Sequence, residues 1–305
     1  MNTELYQPKN IQKISTKSAH EVLDKIYTTK DNFIQPETFQ ELTKGLKLLD
    51  IQNWKLPNII IKFAKTENSN PIKGRTEVKN DEICVIFDKR FIEETEGDEN
   101  SLLNQLKQGG YPGVDQVLKH ELAHIGMWSV TEQERQPAIR LLDEGWARLI
   151  EDASGKNMGS VNDLTKQAKQ DVLNGLKEDY KNYEKCLDFN NPPSQYEYED
   201  LGVAEYEVGK ALLLWIRERY GNNEAMINLI KNSPDPMKRN DDRLELSKQF
   251  PERLIEGLSK DEASARAQLW EREQFQKALI KITGLISLEK IEEEFKKWLE
   301  CDPSK

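Results

Sequence analysis

Residues 117–128 read VLKHELAHIGMW and hold two of the three histidines in this 305-residue chain, four positions apart with a glutamate after the first. On an α-helix, residues i and i+4 lie on one face, one turn apart. His120 and His124 can therefore aim both imidazoles at one point, where a metal ion fits at about 2.0–2.1 Å from each nitrogen. Glu121 is rotated by about 100° from His120 and sits beside that point, within reach of a water. The result is the H-E-x-x-H arrangement, two ligands plus a general base. Val117, Leu118, Leu122 and Ile125 give the same helix an apolar face for a core. Packing alone would not ask for two imidazoles one turn apart with a carboxylate between them.

A catalytic zinc site of this kind needs a third protein ligand and an open fourth position. The next helical stretch, LLDEGWARLIED, offers two candidates, Asp143 and Glu144.

HELAH followed by DEGWA resembles the gluzincin metallopeptidases, in which HExxH is followed by a helix bearing Glu-Gly-x-Ala. Glu144 lies twenty positions after His124, one more than is usual in aminopeptidase-N-like members. The register of the EGWA tetrad favours Glu144 over Asp143, and the resemblance thus implies a zinc site of His120, His124 and Glu144. A second match lies downstream, where Tyr206-Glu-Val-Gly209 opens an apolar helix much as a Tyr-x-x-Gly helix does in these peptidases. The resemblance implies that the Tyr206 hydroxyl stabilises the oxyanion of the tetrahedral intermediate. The tail, FQKALIKITGLISLEKIEEEFKKWL, looks like the closing helices of small gluzincin domains. One departure matters: the Gly-x-Met-Glu-Asn strand that holds a substrate's free amine in aminopeptidases does not occur before HELAH.

Other polar residues carry less. Glu151 falls seven positions after Glu144 on the same helical face, placed to receive the second N–H of a ligand histidine or to face solvent. Asp115 reads as a capping or dipole-stabilising residue. His20 has Asp24 where a second histidine would be, and reads as an exposed helix residue. SQYEYED (194–200) reads as a solvated loop or a cleft lining that favours basic side chains, and Gly109–Gly110 as a turn.

Along the chain, TKSAHEVLDKIY and PETFQELTKGLKLLD have helical spacing. NIIIKFA (58–64), KGRTEVK (73–79) and EICVIFD (82–88) are strand candidates rich in β-branched residues. An acidic helix or loop follows over 89–107. After the HELAH helix the pattern is almost wholly helical to the end, including one long stretch from Val161 to Leu187. The expected class is α+β and zincin-like: a small mixed β-sheet plus the active-site helix, then a mostly helical C-terminal half. The expected division is 1–157, a sheet-bearing catalytic subdomain with the HELAH and DEGWA helices, and 158–305, a helical subdomain contributing Tyr206.

A formal charge of −10 argues against nucleic acid as a partner. No apolar run approaches the length that crosses a bilayer, and the first fifteen residues lack the apolar stretch of a secretory signal. Cys84, Cys186 and Cys301 are widely spaced and form no CxxC pair, which reads as reduced thiols in a cytoplasmic protein. The expected function is zinc-dependent hydrolysis of peptide bonds in a peptide or protein substrate. An endopeptidase is favoured over an aminopeptidase because the amine-holding motif is missing. The alternative is a non-catalytic metal-binding scaffold or binding module.

Overall fold

The computed structural model describes residues 26–28, 36–51, 59–64, 74–79, 82–88, 112–131, 139–155, 158–193, 201–234, 237–240, 243–246 and 250–301. Most of the helix expected over 16–27, with His20, lies outside them. So do the acidic 89–107 segment, the Gly109–Gly110 turn and SQYEYED. Nine helices carry the described chain: α1 (Pro36–Leu48), α2 (Pro112–Thr131), α3 (Arg140–Ala153), α4 (Val161–Glu178), α5 (Tyr180–Leu187), α6 (Ala204–Tyr220), α7 (Asn222–Lys231), α8 (Lys260–Thr283) and α9 (Leu288–Glu300).

The α+β, mixed-sheet class expected from the sequence is corrected by this structure, which is predominantly helical. Short strands do pair through their backbones. β1 (Ile26–Thr28), β2 (Ile59–Ala64), β4 (Glu82–Asp88) and β3 (Gly74–Lys79) lie side by side in that order. β5 (Met237–Asn240) and β6 (Arg243–Leu246) form an antiparallel pair. Yet these strands run only three to seven residues, whereas the described helices reach 24 and carry most of the described chain. The β-branched runs locate strands, but the longer helices set the class.

Helix α6 shows how. Its sequence, AEYEVGKALLLWIRERY, is apolar around most of its circumference, and Val208, Ala211, Leu212, Leu213, Leu214, Trp215 and Ile216 are all buried. A helix hydrophobic all round belongs inside a helical body rather than on its surface. It packs most extensively on α3, and also meets α4, α5 and α7. Lys210, fully buried on α6, donates to Asp152 on α3 and Asp171 on α4, both at 2.7 Å, so a charged network ties three helices together.

The long helix expected from Val161 to Leu187 is broken. Asp179, at φ −139° and ψ 59°, ends α4 and sets α5 off in a new direction. The reason is local: Tyr183 folds back onto Gly175, where an added Cβ would sit 1.9 Å from the ring. The helical run expected to continue to the C-terminus is likewise interrupted by β5 and β6. α8 starts on a capping box between Ser259 and Glu262 and ends at Gly284, whose φ of 66° is left-handed. Among the described residues, no helix is long and apolar enough to cross a membrane.

Candidate metal centre

Helix α2 begins at Pro112, a residue suited to a first helical turn, and places Asp115 within that turn. It buries Leu118, Leu122, Ala123, Ile125 and Met127. The opposite face of the turn carries His120 and His124. Helix α3 packs against it, with Trp146 Nε1 donating to the carbonyl of Ala123 at 3.1 Å, between the two histidines. That contact sets the register in which Glu144 faces the imidazoles.

Three atoms then converge. His120 Nε2 lies 3.1 Å from Glu144 Oε2 and 3.2 Å from His124 Nε2, and His124 Nε2 lies 3.6 Å from the same carboxylate oxygen. Ligands at about 2.0–2.1 Å from a tetrahedral ion are separated by roughly 3.3 Å, so this triangle is the size of one face of a zinc tetrahedron. Among the described residues, His120, His124 and Glu144 form the group able to hold a metal ion. Two imidazoles and one carboxylate suit zinc.

The outer ring nitrogens are held by other carboxylates. Asp143 lies 2.7 Å from His124 Nδ1, on the side of the ring away from Glu144. The sequence offered Asp143 as a rival ligand; the structure places it as the group that orients His124. Glu151 lies 3.2 Å from His120 Nδ1 and is buried rather than solvated. Its other oxygen accepts from Gln116 and, at 2.8 Å, from Arg148. When each ring is neutral and Nδ1 donates to its carboxylate, the Nε2 lone pair faces inward.

Electrostatics follow the packing. Burial opposes a proton on His120, but the hydrogen bonds to Glu144 and Glu151 outweigh it and raise the pKa to about 9 without an ion. His124 is raised as well: burial opposes its proton, and Asp143 wins. Burial pushes Glu144 up, yet the two histidines pull it well below the ordinary carboxylate range.

Glu121 is buried, and its Oε2 accepts from Thr76 Oγ1 on β3 at 2.6 Å. Its other oxygen has no hydrogen-bond partner among the described residues. Burial raises the Glu121 carboxyl above its usual range, against the pull of both histidines and Thr76. Sequence reasoning missed Thr76, which sits 45 positions away with no local signature.

Tyr206 stands in the first turn of α6, its ring centroid 5.6 Å from that of His120. Burial and the nearby Glu144 hold its hydroxyl protonated. Two glycines set its position. A Cβ on Gly145 would lie 2.4 Å from the Gly209 carbonyl carbon, and one on Gly209 would lie 1.9 Å from the Leu141 carbonyl oxygen. Helices α3 and α6 thus cross in backbone contact next to the site. Also missed from sequence was Arg140, whose Nη2 donates to Glu205, the residue before Tyr206.

No protein-family model, curated protein or solved structure matches this chain.

Proposed function

We propose that this chain is a zinc-dependent metallopeptidase with a gluzincin-like site, hydrolysing internal bonds of a peptide or protein. The observation that carries the proposal is one juxtaposition. The Nε2 atoms of His120 and His124 and Oε2 of Glu144 converge at ligand-to-ligand distances, with the buried carboxylate of Glu121 beside them. A purely structural metal site has no need of that carboxylate. The resemblance to gluzincins rests on these site residues and on Tyr206, not on the fold class.

Zinc held by such a set supplies Lewis-acid polarisation of a carbonyl and acidification of water. The remaining work falls to the chain. Asp143 and Glu151 hold the two imidazoles in the tautomer that turns Nε2 inward. Thr76 fixes one oxygen of Glu121, and the other is left to take a proton from the attacking water and pass it to the leaving amine. Tyr206 donates a hydrogen bond to the carbonyl oxygen as that oxygen gains charge. The Gly145–Gly209 crossing keeps Tyr206 close to the ligands. A reducing, cytoplasmic compartment belongs to the same proposal, supported by the free thiols of Cys186 and Cys301.

The test is turnover of a peptide library by the zinc-loaded protein, with and without chelator. Cleavage that chelator abolishes and zinc restores is the expected result. Stoichiometric zinc with no cleavage of any peptide would favour the non-catalytic scaffold instead.

A further inference from the structure

Arg140 is a poor fit to its surroundings if packing were its only role. It is the first residue of α3, the end at which the helix dipole disfavours a cation, and no side chain caps that end. Helix α6 also begins beside it without a side-chain cap. Four positions before Glu144, Arg140 lies on the same helical face, one turn toward the N-terminus. Nη2 is taken by Glu205, which is 2% exposed. Nε is buried with no hydrogen-bond partner. Nη1 makes no hydrogen bond to any described residue, and 32% of the side chain is open to solvent.

Nε is closed off from solvent, so a ligand would meet the guanidinium at its other nitrogens. Its place in the fold suggests which ligand. One edge of the guanidinium is anchored by Glu205, next to Tyr206, and Glu144 follows Arg140 by one helical turn. A planar, permanently charged fork is matched to the two oxygens of a carboxylate.

We propose that Arg140 is a specificity-determining residue that takes a carboxylate of the substrate beside the scissile bond. This rests on the metallopeptidase reading and adds the substrate class to it. Two sources carry the same chemistry: a free C-terminal carboxylate, or the side chain of an aspartate or glutamate near the cleavage point.

N-acetylated reporter peptides separate them. One pair differs only in a free or amidated C-terminus, and a second, amidated pair differs only in glutamate or glutamine beside the cleaved bond. The wild type should prefer the carboxylate member of one pair by about 10- to 100-fold in kcat/KM, the range for one hydrogen bond to a charged group. Which pair responds identifies the source. In Arg140→Ala that ratio should fall to near one, and Arg140→Lys should keep part of it. Unchanged zinc content and melting temperature would set aside misfolding of either variant.

A second measurement stands apart from turnover. Calorimetric titration of the same peptides into Glu121→Gln should show the carboxylate member binding more tightly, and Arg140→Ala in that background should erase the difference. If the wild type cleaves none of the peptides, the metallopeptidase reading fails and binding alone decides the role of Arg140. Equal binding of carboxylate and amide members, or a preference that survives Arg140→Ala, would overturn the proposal.

Discussion

Gly145 and Gly209 meet backbone to backbone, with only 2.4 Å between an ideal Cβ on Gly145 and the carbonyl carbon of Gly209. Each glycine belongs to one of the two motifs that drew attention in the sequence, EGWA and YEVG, and each follows the functional residue of its motif. Their contact holds Glu144 and Tyr206 at the same site. Gly209→Ala has no room, since its Cβ would fall 1.9 Å from the Leu141 carbonyl oxygen. Overpacking of this kind costs about 1–3 kcal/mol. A shift of Tyr206 by about 1 Å would lower kcat by up to about a hundredfold. Thermal melts and steady-state kinetics check both. A variant with wild-type melting temperature and kcat would show that the crossing does not position Tyr206.

Metal content should follow the geometry of the three ligands. Purified protein is expected to hold one zinc per chain, lost in His120→Ala and in His124→Ala and largely retained in Glu121→Gln. Asp143→Asn should weaken zinc binding by about 10–100-fold rather than abolish it, because Asp143 orients His124 without being a ligand. Elemental analysis and competition with a chelator of known affinity measure these effects. Stoichiometric zinc in His120→Ala would remove the assignment.

Tyr206→Phe should keep its zinc, its fold and a similar KM while losing turnover. Removing one donor to a developing oxyanion costs about 10²–10³ in kcat, roughly 3–4 kcal/mol. Kinetics on a cleaved reporter peptide decide the matter. A kcat within about threefold of wild type, only ~0.65 kcal/mol, would leave Tyr206 as a packing residue.

Blocking a substrate's N-terminus should leave cleavage intact. The chain lacks the amine-holding motif of aminopeptidases, so acetylated and free peptides are expected to be cut at comparable rates, as product mass spectra would record. A strict requirement for a free amine would point to another group in that role.

Stability of the metal-free protein should decline with rising pH. The pKa of His120 is raised from 6.5 to about 9, so the folded state holds this proton more tightly than the unfolded chain does. The resulting stabilisation is complete below about pH 6.5 and is lost as pH rises through about 9. His124 shifts in the same direction. Melting temperature in chelator should therefore drop across that window. Zinc needs the unprotonated imidazoles, so zinc affinity should rise over the same range. A flat melting profile in chelator would mean that the carboxylates do not hold the histidines charged.

What could be read from sequence was whatever a single helix dictates. The four-residue spacing of His120 and His124, the place of Glu121 beside them and the same-face position of Glu151 all follow from helical geometry. Asp143 and Glu144 are adjacent, and sequence could not say which oxygen reaches which ring edge. The structure gives both a part, because neighbouring residues on a helix point about 100° apart. Thr76 and the Arg140–Glu205 pair join segments 45 and 65 positions apart, and no periodicity reports such contacts. The fold class went astray for a related reason. Runs of β-branched residues signal local extension, but class depends on how much of the chain each kind of element takes, and here the described strands run three to seven residues while the helices reach 24. The break at Asp179 was hidden because the apolar spacing of α4 carries on into α5.

The all-round burial of α6 bears on how this protein moves. Eleven of its seventeen residues are buried, and its first turn carries Tyr206. The run from Val208 to Ile216 is enclosed on every side, so its amide protons should exchange with solvent only when the whole molecule unfolds. Tyr206 is then anchored directly to one of the slowest-exchanging parts of the chain rather than carried by a lid. Movement that admits a substrate is therefore expected in elements other than α6.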